Sequence, residues 1–365
     1  MTSLRLHEAD NIVVARTDLA KGDVAGGCRV KQNIPAAHKM AIDVIAKGEP
    51  VRKYGHIIGY ASVEIAAGSH VHSHNLAYGP APLKHDFCAG YRSTDFVPDE
   101  RREFFNGYHR ANGAVGTRNM IAVLSMVNCS AMVARSIARA FTPEVLAGYA
   151  NIDGVAAFTS GTGCGMSGSG EGFDILQRVI GGYARNPNIG GGLLVGLGCE
   201  INQIDFLLEA YGISPGPAFQ VMNIQTLGGT AKSIRAGVER IRDMLPEVNR
   251  ARRRSAPLSR LMLGLQCGGS DGLSGITANP ALGHACDLLV AQGGTVVLSE
   301  TPEIYGAEHL LTRRAASPDI ARKLLARVAW WQEYVARNKG SMDNNPSPGN
   351  KAGGLTTILE KSLGA

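Results

Sequence analysis

No run in this 365-residue chain approaches the roughly 18 consecutive apolar residues that a membrane helix requires, and the opening MTSLRLHEADNIVVA has no apolar signal core after a basic start. No membrane partner is therefore expected, and the protein is expected to be cytoplasmic. Aromatic residues are scarce at 6%, and much of the formal charge of +6 sits in solvated stretches such as RIRDMLPEVNRARRRS (240–255), which reads as a helix end and linker. A nucleic-acid groove wants a basic stripe interleaved with aromatics, so a small acidic ligand is the better match and no nucleic-acid partner is expected. The seven cysteines are odd in number and lack paired spacing, which argues against a disulfide framework and for thiols or metal ligands.

What the chain has in excess is glycine, 46 residues, clustered where backbone must turn tightly or approach something closely. Its length suggests two or three units. Residues 1–77 read as a compact β domain, in which NIVVA (11–15), PVRKYG (50–55), HIIGYAS (56–62) and SHVHSHN (69–75) are short strands separated by glycine and charged turns. Residues 78–106, with three prolines and little periodicity, read as a linker. From 107 to 365 the pattern changes. Apolar runs at 120–127, 154–160, 192–198, 219–224, 261–267 and 294–300 alternate with helix-like runs at 131–141, 173–184, 231–245 and 281–292, and a last helix is expected at 319–338. That alternation predicts an α/β domain with a largely parallel sheet behind a small β domain.

In such sheets ligands gather beyond the carboxyl ends of the strands, where loops and helix N-termini converge. Those ends carry NCSA (128–131), GTGCGMSGSGEG (161–172), CEINQ (199–203), CGGSDGLSG (267–275) and Glu300, so Cys129, Cys164, Cys199 and Cys267 all fall there. One cysteine alone is most often a small buried hydrophobe. Four in equivalent places suggest iron or zinc, or an iron–sulfur cluster if three or four converge. The GxGxxG-like GCGMSG (163–168) lacks the following acid of a dinucleotide site, so its expected role is to bring backbone amides near an anion. On an extended GSHVHSHN strand His70, His72 and His74 would share one face, as a metal platform, a proton-transfer surface or simply a solvated edge. In NNPSPGNKAGG (344–354), Asn350 and Lys351 offer donors to a carboxylate on a turn stiffened by proline, the plain alternative being a surface loop.

Taken together, HRANGAVGTRNMIAVLSMVNC (109–129), VGLGCEINQ (195–203), LQCGGSDGLSGITANPALG (265–283), TPEIYGAEHLL (301–311) and NPSPGNKAGGLTT (345–357) resemble the altronate and galactarate dehydratase family. Residues 34–75 are similar to the β-clip SAF module fused in front of those enzymes. The resemblance covers nearly the whole chain. It implies a hydro-lyase that removes water from a sugar acid to give a 2-keto-3-deoxy acid, assisted by Fe2+, Mn2+ or another divalent metal, with an iron–sulfur cluster as the less favoured cofactor. The triple-histidine GSHVHSHN is closer to the altronate branch, so D-altronate is expected ahead of galactarate or another aldonate or aldarate.

Position and chemistry then name the candidates. His72, His74, Asp271 and Lys351 are the catalytic set; His72, His74, Cys129, Cys164 and Cys267 are the metal set; Ser270, Asn279, Asn350 and Lys351 are the substrate contacts. A small sugar acid is the expected partner, and a homo-oligomer is compatible with the sequence. Two departures from the family pattern stand out. TSGTGC (159–164) replaces a His-x-Tyr-Gly-Cys-like stretch, and the sequence ends at KSLGA (361–365) where family members resembling it continue, so part of the family's C-terminal region is expected to be missing. A sugar-acid-binding module without chemistry is the competing reading.

Overall fold

The computed structural model describes residues 2–365, which divide into two compact units: Met1–Pro98 together with Met262–Ala365, and Asp99–Leu261. The division differs from the sequence expectation, in which 107–365 formed one domain.

In the first unit short antiparallel strands carry the N-terminal half. Ser3–Leu4, Ile12–Ala15, Lys39–Ala41 and His70–Val71 make one sheet in that order, and Pro50–Lys53, His56–Ala61 and Leu76–Ala77 make a second. Alternation along Ile12–Ala15 buries both faces. Ile12 and Val14 join Ile45, Val51, Ile58 and Ile65, whereas Val13 and Ala15 join Leu19, Val30, Ile34 and Met40. Tyr54 and Gly55 close a two-residue hairpin with both φ values positive, 59° and 76°. The Asp10 carboxylate accepts from both of their amides, at 3.2 and 2.7 Å, which holds the turn. From the C-terminal half Leu273, Ile276 and Leu363 pack onto the same core, and Thr357 Oγ1 donates to the Ile58 carbonyl. Met262–Leu265 and Thr295–Leu298 pair in parallel around the Ala278–Ala291 helix.

The second unit is built on a four-stranded parallel sheet in the order Gly154–Phe158, Met120–Ser125, Ile189–Gly196, Phe219–Asn223. Right-handed crossovers that run in opposite directions along the sheet, first from Met120–Ser125 out to Gly154–Phe158 and then back past Met120–Ser125 to Ile189–Gly196, put their helices on opposite faces. Accordingly the Ala131–Arg139 helix packs Val133 and Ile137 against Ile121, Val123, Leu193 and Val195, while Leu176 and Ile180 of Glu171–Ala184 and Leu207 of Ile204–Tyr211 cover Ala122, Leu124 and Leu194. The predicted strands at 261–267 and 294–300 do not extend this sheet. After the Thr230–Val248 helix the chain forms Arg253–Pro257, pairs it antiparallel with Phe104–His109, and so leaves the parallel sheet before residue 261.

Candidate active site

The histidine motif of the first unit is not the extended strand that its alternation suggests. Pairing stops after His70–Val71 because Asn75 turns the chain: its Oδ1 accepts from the His72 amide at 2.9 Å and its Nδ2 donates to the His70 carbonyl at 2.9 Å. The turn nevertheless keeps the rings together, with His70 5.4 Å from His72 and 5.5 Å from His74 between centroids. A fourth ring, His38, lies 5.0 Å from both His70 and His72. It enters the strand Lys39–Ala41 that pairs with His70–Val71.

Hydrogen bonding fixes the tautomers. His38 Nε2 meets the Ala352 carbonyl at 3.0 Å and His72 Nε2 meets the Lys351 carbonyl at 2.8 Å. A carbonyl only accepts, so both Nε2 atoms carry the proton and, in the neutral rings, both Nδ1 atoms are bare. His38 Nδ1 therefore accepts from His70 Nε2 at 2.9 Å, which leaves His70 Nδ1 bare in turn, and His72 Nδ1 accepts from the Ser73 hydroxyl at 3.0 Å. Burial first, then His38, His72, His74 and Lys39, push His70 down to about 3, and burial lowers His72 against the pull of the Lys351 carbonyl. A ring whose N–H is held by a fixed acceptor and whose other nitrogen is bare is what metal ligation and general-base work both require, and of His38, His70 and His72 only His70 keeps a bare nitrogen. These three rings thus offer a divalent metal one bare nitrogen, that of His70.

Both carbonyls come from the C-terminal motif. Ser347 caps the Pro348–Ala352 helix in a capping box with Asn350, whose Oδ1 accepts from the Ser347 amide at 3.2 Å and whose Nδ2 donates to the Ser270 carbonyl at 2.8 Å. Asn350 therefore fastens two loops to each other. The Gly272 amide donates to the Gly353 carbonyl at 2.8 Å, and both Gly272 and Gly354 lie where a Cβ would strike the Ala37 carbonyl. Burial raises the pKa of the Asp343 carboxyl, which the Ile358 amide and then the half-buried Lys351 only partly offset.

Under the rings lies a charged group of a kind that the apolar strand pattern conceals. Lys39, Lys53 and Glu360 are fully buried, with Glu360 2.8 Å from Lys39 and 2.9 Å from Lys53. Lys39 also donates to the Gly354 carbonyl at 2.6 Å and Lys53 to the Gly272 carbonyl at 3.3 Å, so the trio ties the N-terminal strands to both motif loops. Burial pushes the Glu360 carboxyl up, but the two ammonium groups outweigh it and hold it at about 2. Lys39 is drawn down to about 8 by burial, which the attraction of Glu360 only partly offsets.

In the CGGSDG loop Asp271 Oδ1 accepts from the Leu273 and Ser274 amides, each at 2.8 Å, and from the Ser274 hydroxyl at 3.0 Å. Asp271 thereby shapes its own turn. Cys267 Sγ is 3.3 Å from Ser270 Oγ, and the Cys267 amide donates to Glu300 at 2.6 Å. One donor atom from each of Cys267, Glu300 and Glu303 lies within 4.8 Å of the others, a mixed sulfur and oxygen set that also suits a divalent metal. Lys361 at 2.9 Å and Asn345 at 2.7 Å orient Glu303. Asn279 is an anchor, donating to the Gly364 carbonyl at 2.6 Å.

The strand-end cysteines belong to two different sheets. Cys267 follows Met262–Leu265 of the first unit, whereas Cys129, Cys164 and Cys199 follow strands of the parallel sheet of the second. His38, Glu303 and the Lys39, Lys53 and Glu360 trio were not among the sequence candidates. For the trio a signal existed: lysines at the inward positions of KMA and PVRK have no reason to be there without a buried anion.

Matches to known families fall on these same pieces. Residues 1–79 match the altronate/galactarate dehydratase SAF domain, 107–249 the second domain of D-galactarate dehydratase/altronate hydrolase, and 258–365 the D-galactarate/altronate dehydratase C-terminal model. The whole chain is 38% identical to altronate dehydratase of Escherichia coli (strain K12), covering 73% of that protein. The chain belongs to the altronate/galactarate dehydratase family. Similarity extends, at 34% identity over 99% of the chain and 72% of the relative, to altronate dehydratase of Bacillus subtilis (strain 168), and at 35% over 99% and 71% to galactarate dehydratase (L-threo-forming) of Escherichia coli (strain K12). Members of this dehydratase family are hydro-lyases, and the resemblance carried by the sequence motifs holds along the entire chain. No helix among the described residues is long and apolar enough to cross a membrane.

Proposed function

We propose that this family member dehydrates a sugar acid, D-altronate in the first instance, to the 2-keto-3-deoxy acid. The observation that carries the reading is the pair of histidines, His38 and His72, pinned through Nε2 to consecutive carbonyls of the NPSPGNKAGG motif. The reaction takes the proton from the carbon next to the carboxylate, expels the neighbouring hydroxyl as water, and leaves an enol that becomes the 2-keto group. His70, neutral and with a bare Nδ1, or His72 once its Nδ1 gives up the Ser73 hydroxyl, serves as the base. His74, beside His70, is placed to return a proton to the departing hydroxyl. The Lys351 ammonium receives the substrate carboxylate, while Asp271 and Asn350 hold the loops and Ser270 presents its hydroxyl. A divalent metal, Fe2+ or Mn2+, held by the imidazoles of His72 and His74 or by Cys267, Glu300 and Glu303, would supply Lewis acidity toward the carboxylate.

Galactarate is the second substrate to try, because the galactarate dehydratase relative, at 35% identity, falls between the two altronate dehydratases at 38% and 34%. The test is a keto-acid assay of reductively purified protein with ferrous iron on both acids, with metal content determined on the same sample. His72→Ala should lower turnover at least a hundredfold, the scale of general acid–base catalysis, while leaving the unfolding midpoint nearly unchanged. Undiminished turnover would remove the histidine face from the mechanism.

A further inference from the structure

We propose that Cys129, Cys164 and Cys199 form a three-thiolate site for a [4Fe–4S] cluster whose fourth iron is left open to an oxygen ligand. The inference rests on the second unit alone and does not depend on which acid the protein dehydrates.

The three cysteines are evenly spaced, 35 residues apart, because each closes one strand of three successive strand-and-helix units. In space their strands are neighbours, Met120–Ser125 lying between Gly154–Phe158 and Ile189–Gly196. The register levels the ends, with Leu124 opposite Phe158 and Ser125 opposite Val195. Beyond the ends the loops are laced to each other: the Asn128 amide donates to the Thr162 carbonyl at 2.9 Å, Met126 to Val195 at 3.0 Å, and Ser160 to the Ser125 hydroxyl at 2.8 Å. Leu197 and Gly198 donate their amides to the Glu200 carboxylate at 3.0 and 2.6 Å, which folds the third loop around Cys199. Cys129 thus sits in the middle of a row of three free thiols.

All three are exposed, so none is a core filler. Local desolvation, then Cys164 and then Cys199 raise the Cys129 thiol above its ordinary value.

The choice between one ion and a cluster follows from spacing. A single ion with thiolates at about 2.3 Å draws its sulfurs to within roughly 4 Å of each other. Among the described residues the donor group that closes to 4.8 Å is Cys267, Glu300 and Glu303; Cys129 and Cys164 are near enough for a side-chain hydrogen bond, but the three thiols do not all close to that distance. A cubane offers each thiolate a different iron and so accepts the wider triangle. The loop around Cys164 suits it as well. Gly163, Gly165 and Gly170 have φ of +110°, +65° and +91°, and nothing stands within 4 Å of where a Cβ would be at Gly165 or Gly170. Such backbone brings amides up to cluster sulfides, whose hydrogen bonds stabilise the negative charge. The loops of Cys164 and Cys199 run on through Gly168 and Ile201 into the wall of a cleft of about 410 Å³ that Gln177 and Phe206 also line.

Binding is ligand exchange without redox change: three thiols release three protons, and a 2+ cluster with three thiolates carries one negative charge. The test is anaerobic reconstitution of the full chain with two equivalents of ferrous iron, two of ferric iron and four of sulfide, which sum to that 2+ core. The expected product absorbs broadly near 400 nm and holds about four irons and four sulfides per chain. Serine at position 129, 164 or 199 should abolish it, and Cys88→Ser and Cys267→Ser should retain it. On the unsubstituted chain, loading should shield those three thiols from alkylation while Cys28, Cys88 and Cys267 react at the unloaded rate. Iron taken up without sulfide, loading that survives serine at all three positions, or alkylation of the three thiols at their unloaded rate would overturn the proposal.

Discussion

The histidine site of the first unit and the cysteine loops of the second offer metal-loving side chains in opposite states of preparation. Around His38 and His72 the groups are already committed: outer nitrogens on carbonyls, Asn350 on Ser270, Asp271 on its own turn, and a buried trio beneath. The thiols of Cys129, Cys164 and Cys199 are exposed, Cys164 on a glycine-rich turn and Cys129 on the single turn Asn128–Ser130. A site whose partners are protein atoms holds its shape before a ligand arrives, because each bond removes a freedom that binding would otherwise have to remove. A site whose partners are absent takes its final shape from what it binds. The first arrangement suits proton transfer, which demands fixed distances, and the second suits capture of a bulky charged centre.

The largest effect that separates the two is expected at Glu360. Glu360→Gln leaves the ammonium groups of Lys39 and Lys53 buried without their anion, and breaking a buried pair costs about 3–5 kcal/mol. Chemical denaturation should show a loss of that size, and Cys129→Ser, at an exposed position, should stay within about 0.5 kcal/mol of the unsubstituted protein. An unmoved midpoint for Glu360→Gln would mean that the trio does not hold the first unit together.

Acid sharpens the same contrast. The folded pKa of Glu360, about 2, is depressed below the ordinary 4.5, so its contribution is complete above about 4.5 and is lost as pH falls through about 2. That interval corresponds to a contribution on the order of 3 kcal/mol. Stability measured between pH 6 and pH 2 should fall across this window, and Glu360→Gln should flatten the fall. A variant that kept the whole acid slope would place its origin in other groups.

How much of this was legible beforehand differed in kind from one region to the other. Periodicity found the strands at 120–125, 154–158, 189–196 and 219–223 and the helices Ala131–Arg139, Glu171–Ala184 and Thr230–Val248, because each strand is apolar on both faces and each helix has one apolar stripe, but it missed the short helix Ile204–Tyr211. It could not find that Met262–Leu265 and Thr295–Leu298 leave that sheet, since a parallel strand reads the same in either sheet and the deciding event is the antiparallel pairing of Arg253–Pro257. The histidines were visible as a motif, but the turn at Asn75 and the arrival of His38 depend on hydrogen bonds between distant residues. Asn350 and Asp271 were chosen for donors and charge that the fold spends on its own loops. Strand-end cysteines were found by position alone, and position alone could not divide Cys267 from the other three.

The smallest effect expected is also the one with opposite signs in the two regions. Gly272 lies against the Ala37 carbonyl, so Gly272→Ala forces backbone of the CGGSDG loop away from the N-terminal strands and should cost about 1–3 kcal/mol, as overpacking does. Gly161, in the loop of Cys164, has nothing within 4 Å of its Cβ position and no positive φ. Gly161→Ala should therefore leave the folded loop undisturbed and gain about 0.4–1 kcal/mol by restricting the unfolded chain. Thermal unfolding of the two variants side by side reads this difference directly. Equal losses would show that the loop of Cys164 is as tightly committed as the histidine site, and the distinction between a prepared site and one shaped by its ligand would fall with it.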